Sequence, residues 1–422
     1  MLIGLALLGA CSQGGTAAPE VEESQEETPA GDPADDVLTE VEPTWHREIA
    51  EAGGPVAWAS HADRGYLAMW PNSEGEQVVE LVALDLATGG DLWTVSHQAP
   101  LADLIVDERG GVIVVETVGD ASTLTAYDEH GQQRWATSVD PVADEISSGF
   151  LHDPVAAFDL ENDLVMIGSR AFPGILGLDL TDGSQRWHLQ HESDTQTPLY
   201  AGTQLDRFGD ALVAVDDFNA PSIAVLDLDD AGHMPTVRWH QDPGTGFGDG
   251  VIADGHGFVT ATAEYVRSWD ITDGRQVHHQ VIDWHQAEPG AGDLQGRAFA
   301  GLFLFEDTIV IERDRRWVLD RTDASVRASY DLDGDGAVGL VKLAGDYTGA
   351  YGADALVAAG HQGLIARLDA QGHVYAVRAD TVDADSTHLP QLLVGESIVV
   401  TAVKRGQDPV WDLWAIERSQ LG

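Results

Sequence analysis

Hydrophobic and polar positions alternate along most of the chain in short runs, and the runs are broken by turn residues rather than by helical periods. In one unit, residues 111–118 are apolar and β-branched, 123–128 alternate, Gly131 marks a turn, and 133–139 resume the alternation. This pattern predicts short antiparallel strands throughout. A phrase made of a small or apolar residue, a large apolar residue and an acid then recurs along the body. It reads Ala83-Leu84-Asp85, Ala126-Tyr127-Asp128, Gly177-Leu178-Asp179, Val225-Leu226-Asp227, Ser268-Trp269-Asp270, Val318-Leu319-Asp320, Arg367-Leu368-Asp369 and Ala415-Ile416-Glu417. Successive acidic positions lie 43, 51, 48, 43, 50, 49 and 48 residues apart.

A nearly constant period of this length marks a repeat array, so the chain is not divided into two or three domains by length alone. A four-stranded unit has two apolar faces, and only stacking on neighbours buries both. The expected fold is all-β: a single eight-bladed β-propeller of four-stranded antiparallel blades over residues 44–422. The eighth unit ends at Glu417, leaving too few residues for its outer strand. Trp45-His46-Arg47-Glu48-Ile49 has the composition of that missing strand. It is expected to pair with the strand around Trp411 to Glu417, closing the ring and removing an exposed sheet edge.

The turn between the third and fourth strands carries its own chemistry. Ala83-x-Asp85-x-x-Thr88-Gly89-x-x-x-Trp93 is the fullest form, and Gly177-x-Asp179-x-x-Asp182-Gly183-x-x-x-Trp187 is a close variant. Asp128…Gly131…Trp135 is one residue shorter, Asp227…Trp239 carries an insertion, and Asp270…Gly274…His278 replaces the Trp. The Asp ends a strand and bonds turn amides, the Gly supplies a positive φ, and the Trp wedges between blades. Asp85, Gly89, Trp93, Asp128, Trp135, Asp179, Gly183, Trp187, Trp239 and Trp45 are therefore read as structural docking residues.

These repeats resemble the PQQ-like (quinoprotein-type) propellers, over the stretch from Trp45 to the C-terminus. The resemblance implies one of two branches, quinone-dependent dehydrogenases or non-catalytic scaffolds such as BamB-type propeller lipoproteins. The alcohol-oxidising dehydrogenases carry a vicinal disulfide, which a chain with one cysteine, Cys11, cannot form. The chain is accordingly read as a non-enzyme with no catalytic residues and no cofactor.

Leu8-Gly9-Ala10-Cys11 follows the apolar run Leu2 to Leu8 and resembles a lipobox. Residues 1–10 are read as a lipoprotein signal peptide and Cys11 as the lipidated mature N-terminus. No Lys or Arg precedes the apolar run, so the natural start is expected to lie upstream. The run is far shorter than the roughly 20 apolar residues of a membrane-spanning helix. Residues 11–43 are rich in Glu, Asp, Pro, Ala and Gly, a composition that cannot offset chain entropy, and they are read as a disordered acidic tether.

Acidic residues number 71 against 22 basic ones, for a formal net charge of -49. Such a surface repels nucleic acid and anionic headgroups and favours basic partners or divalent cations. Asp331-x-Asp333-Gly334-Asp335-Gly336 resembles a calcium loop, but Lys342 stands where such a loop places a bidentate Glu. Asp331, Asp333 and Asp335 are read either as a weak structural Ca²⁺ site or as a solvated turn between blades. His278, His279, Asp283 and His285 cluster in sequence, but adjacent strand residues point to opposite faces, which disfavours a shared metal.

The function expected is a monomeric, extracytoplasmic, lipid-anchored scaffold that binds protein partners at the cell envelope. The alternative is binding of a saccharide or cell-wall fragment in the central funnel. A quinone-dependent oxidoreductase is the third reading.

Overall fold

The computed structural model describes residues 37–49, 52–71, 79–97, 101–118, 121–139, 154–169, 174–190, 204–216, 222–229, 231–242, 250–254, 257–261, 265–281, 301–312, 315–331, 348–351, 355–360, 364–379, 391–404 and 410–421. Two strands, β1 (Val37–Val41) and β2 (Trp45–Ile49), precede the first full blade. Blade I holds β3 (Ala52–His61), β4 (Arg64–Pro71), β5 (Val79–Asp85) and β6 (Asp91–His97). Blade II holds β7 (Leu101–Val106), β8 (Val112–Val118), β9 (Ala121–Tyr127) and β10 (Gln133–Val139). Blade III comprises β11 (Val155–Asp159), β12 (Leu164–Gly168), β13 (Ile175–Asp179) and β14 (Gln185–Leu189). Blade IV comprises β15 (Gln204–Phe208), β16 (Ala211–Asp216), β17 (Ser222–Asp227) and β18 (Thr236–Gln241). Blade V is built from β19 (Gly250–Asp254), β20 (Gly257–Ala261), β21 (Tyr265–Asp270) and β22 (Gln276–Val281). Blade VI is built from β23 (Gly301–Leu304), β24 (Thr308–Glu312), β25 (Arg315–Asp320) and β26 (Val326–Asp331). Blade VII has β27 (Thr348–Tyr351), β28 (Ala355–Gly360), β29 (Leu364–Asp369) and β30 (Val374–Ala379). Blade VIII has β31 (Gln391–Val394), β32 (Ile398–Lys404) and β33 (Trp411–Glu417), followed by a 3-10 turn at Arg418–Leu421.

Blade VIII is completed from the other end of the chain. Its order is β2-β33-β32-β31, with Trp45 opposite Ala415 and Ile49 opposite Trp411, antiparallel. The expected closing strand is thus in place, and the ring has eight blades. Blade VII differs from expectation. β1 adds a fifth strand, parallel to β30, with Val37 opposite Tyr375 and Val41 opposite Ala379. Residues 37–41 belonged to the expected disordered tether, and they are instead a strand of the folded body. The reason is local: Val37-Leu38-Thr39-Glu40-Val41 is β-branched and apolar, and Val41 packs on the cluster of Ile365, Val377 and Ile416.

The core is divided among the interfaces between blades. Ile113 and Val115 of β8 join Val165 and Leu178 of blade III, while Val112 and Val114 join Tyr66 and Leu81 of blade I. Successive residues of one strand therefore serve opposite neighbours. This is why the middle strands read as unbroken apolar runs while outer strands such as β10 alternate in exposure. The interface that closes the ring has its own cluster, with Leu67 and Leu84 of blade I against Leu413 and Ala415 of blade VIII. Among the described residues no helix is long and apolar enough to cross a membrane.

Candidate functional site

Backbone bonds bring two sets of tight turns to one face of the ring. The turn after the third strand donates to the turn after the first strand of the same blade: Leu86 to Asp63 (2.9 Å), Leu180 to Asp163 (2.8 Å), Leu228 to Asp210 (2.7 Å) and Arg321 to Asp307 (3.1 Å). On this turn face the Asp side chains cap the turns. Asp85 Oδ1 accepts from the amides of Ala87 (2.9 Å) and Thr88 (3.1 Å), and Asp179 Oδ1 from Thr181 (2.7 Å). Asp128 Oδ1 does the same for His130 and Gln132. In blade IV the insertion moves the cap to Asp229, which accepts from Ala231 and His233.

Each Trp reaches across to the turn of the following blade. The indole Nε1 of Trp45 donates to Leu86 O (2.8 Å), that of Trp93 to Glu129 O (3.0 Å), and that of Trp135 to Leu180 O (2.9 Å). Trp187 donates to Gly232 O (3.3 Å) and Trp239 to Ile271 O (2.9 Å). The ring lies so close over the turn glycine that a Cβ on Gly89 would sit 2.8 Å from Trp45 and one on Gly183 2.5 Å from Trp135. Both glycines also hold positive φ, +71° and +73°, where a side chain is strained.

A bulge aims the ring. In blades I, III, IV, V and VI the register between third and fourth strands slips by one residue, leaving Leu92, Arg186, Arg238, Val277 or Arg327 outside the pairing. Blade II slips at Arg134 between its fourth and third strands. The arginines at these bulges fold back onto acids: Arg186 onto Asp179 (2.6 Å), Arg327 onto Asp320 (2.6 Å), Arg238 onto Asp227 and Arg134 onto buried Asp107 (2.7 Å). Arg109 joins blade II to Asp163 of blade III, and Arg47 joins the closing strand to Asp91 of blade I. The sequence reading missed the bulges, because their residues look like ordinary strand positions.

Three junctions depart from the Trp–Gly pattern. Blade V carries His278 in place of Trp, and the turn it faces in blade VI carries Ala324 at φ +57° in place of Gly. Blade VI docks through Tyr330, two residues beyond the Trp position, with its hydroxyl donating to Gln371 O (3.1 Å). There a fully buried Arg316 also donates to Gly372 O (2.7 Å) and pairs with Glu312 (3.2 Å). Where the chain ends interrupt the turn of blade VIII, Leu421 is buried with Ile365 and Val377 of blade VII.

A cleft of ≈ 450 Å³ opens on the turn face, at the ends of inner strands β11 and β15. It is lined by Glu108 from blade II, Ala156, Ala157 and Phe158 from blade III, and Asp206, Arg207 and Gly209 from blade IV. Its space has a sequence origin. Where the inner strand of blade II carries Leu104 and Ile105, that of blade III carries Ala156 and Ala157. Arg207 is held from behind, its Nη1 donating to Asp159 Oδ1 (2.9 Å) and its Nε donating to Gly209 O (3.0 Å). Asp159 is almost wholly buried and also accepts from Asn162 (2.8 Å).

Of the metal candidates, Asp331 closes β26, while Asp333 and Asp335 lie outside the described residues. His278 and His279 are consecutive on β22, opposite Ser268 and Arg267, and Asp283 and His285 fall outside the described residues. Among the described residues no group of three or more His, Cys, Asp or Glu could hold a metal ion. Cys11 and the lipobox likewise lie outside the described residues.

The family model described as outer membrane protein assembly factor BamB matches residues 40–231, which end within blade IV. The match includes the docking residues Trp45, Trp93, Trp135 and Trp187 and stops short of Trp239. Among solved structures, BamB from Moraxella catarrhalis is similar over 90% of this chain and 100% of that chain, at 15% identity and a TM-score of 0.54. The computationally designed protein Ika8 is similar over 90% of this chain and 99% of that chain, at 15% identity and a TM-score of 0.52. Sqt1 from Saccharomyces cerevisiae is similar over the same shares, 90% and 99%, at 11% identity and a TM-score of 0.52. No curated protein matches the chain. At these identities the structural likenesses establish the fold.

Proposed function

We propose that this PQQ-like propeller, similar to the BamB type, is a non-enzymatic scaffold that binds a protein partner through its turn face. The observation that carries the reading is the state of that face. Its turns are fixed by Asp caps, Trp rings and arginine pairs, so the surface is preorganised and loses little entropy on docking. The arginines at its bulges are engaged with acids, which leaves exposed carboxylates to set its potential, in a chain of net charge -49. A partner with a basic surface meets that potential. The match to a model described as an outer membrane protein assembly factor supports the same reading.

We place the protein outside the cytoplasm, anchored by a lipid on Cys11, with the acidic stretch as tether. The lipobox Leu8-Gly9-Ala10-Cys11 supports this, as does the single cysteine, which leaves no disulfide of the kind expected in a quinone-dependent alcohol dehydrogenase. In-cell crosslinking of the tagged protein, followed by mass spectrometry of the membrane fraction, tests the function. One stoichiometric protein partner, lost when turn-face residues are altered, supports the scaffold. No protein above background overturns it.

A further inference from the structure

The cleft beside Arg207 has a composition that selects a ligand. The Arg207 guanidinium is matched by buried Asp159, so this pair contributes no net charge to the cleft. Among the described residues of its lining, the remaining ionised groups are Glu108 and Asp206, from two different blades. Gln204 donates to Asp206 Oδ2 (2.6 Å) and fixes that carboxylate. Phe158 supplies an aromatic ring to the same lining, and Ala156 and Ala157 leave the room. A lining that holds two carboxylates and a half-buried aromatic residue suits a cationic side chain, whose head pairs with acids and whose flat or aliphatic stem packs on an aromatic surface.

We infer that this cleft receives an arginine side chain from a basic segment of a partner protein. The inference rests on the scaffold reading and names the partner's chemistry at one point of the face. Arginine suits such a lining better than lysine because its planar guanidinium offers several donors to carboxylates and a flat face to an aromatic side chain. The surrounding carboxylates of the face raise the local concentration of a basic segment, and the cleft fixes its register.

The test is a titration of the full-length protein with a synthetic peptide of two arginines among glycines and serines, at about physiological salt. The wild type is expected to bind one peptide. The double variant Glu108→Gln with Asp206→Asn is expected to bind at least about tenfold more weakly. Ala156→Leu fills the cleft without changing charge and is expected to give a similar loss, with the circular dichroism melt verifying its fold. The control pair Glu306→Gln with Glu396→Gln removes two exposed charges from other turns of the same face, and is expected to change affinity by less than about twofold. Equal loss in the control pair, or no binding by the wild type, overturns the inference. Tighter binding of spermidine than of the peptide also overturns it, assigning the cleft to a free polyamine. A captured protein partner whose yield is untouched by Ala156→Leu removes the cleft but leaves the scaffold standing, so the two failures are distinguishable.

Discussion

Trp45 lies over Gly89, joining the strand that completes the last blade to a turn of the first. The indole donates to Leu86 O at 2.8 Å, and a Cβ on Gly89 would come within 2.8 Å of its ring. Arg47, two residues on, bonds Gly89 O (3.0 Å) and Asp91 (2.6 Å). These contacts bind the closing strand β2, and through its pairing the C-terminal strand β33, to the ring's first full blade. Trp45→Ala is expected to lower the free energy of unfolding by about 3 kcal/mol, near the lower end for a large aromatic because the ring is half-buried. Gly89→Ala is expected to cost more than about 1 kcal/mol, since it adds both a clash and a strained φ. Urea unfolding followed by tryptophan fluorescence measures both.

Ala324 gives the opposite case. It holds φ +57° in the turn facing His278, where no indole needs the space. Ala324→Gly is expected to stabilise the protein by about 0.5–1 kcal/mol, because relief of the left-handed strain outweighs the added chain entropy. A fall in the urea midpoint for this variant would mean that the methyl, buried at 1% exposure, contributes more by packing than its φ costs.

Tyr330 stands in for the missing Trp of blade VI. Tyr330→Phe removes the bond to Gln371 O and is expected to cost about 1 kcal/mol. Tyr330→Trp is expected not to restore a Trp-type contact, because the docking position, Ala328, lies two residues earlier in the strand. Thermal melts of the two variants check this.

Acid should loosen the turns. The Arg327 side chain, and then the Thr322 amide, hold the Asp320 carboxyl below its ordinary value of 3.8. Asp270 is lowered first by the Thr272 amide, and Asp229 first by the His233 amide. A carboxyl depressed in the folded state stabilises fully above its unfolded value. That contribution is lost as pH falls through the folded value, so the loss lies below about pH 4. Comparing the urea midpoint of wild type and Asp320→Asn between pH 7 and pH 3 isolates one such group. The gap between them is expected to be constant at neutral pH and to close in acid.

Much of this architecture was legible because the repeats are built from residues with few substitutes. Only Gly tolerates an indole at van der Waals distance with positive φ, and Asp85 or Asp179 caps its turn with a short carboxylate that few residues replace. The closing strand was legible for the same reason, since Trp45 needed a turn to dock on and blade VIII needed an outer strand. Val37–Val41 was hidden inside an acidic, proline-rich stretch, because one strand of five residues adds too little apolar signal to override its surroundings. The bulges were hidden because Leu92 and Arg134 are unremarkable strand residues whose role lies in the register. The cleft was hidden because it assembles Glu108, Phe158 and Asp206 from three blades, and its opening depends on Ala156 and Ala157 being small. No run of sequence contains that relationship.

Site-specific photocrosslinking in cells tests the central claim most directly, with the reactive group placed in turn at Glu108 on the turn face and at Leu92 on the outer strand of blade I. Both positions are exposed, so access does not distinguish them. The account expects one discrete protein adduct from position 108 and none of comparable yield from position 92. Equal adducts from both positions, or none from either, would contradict a protein-binding turn face.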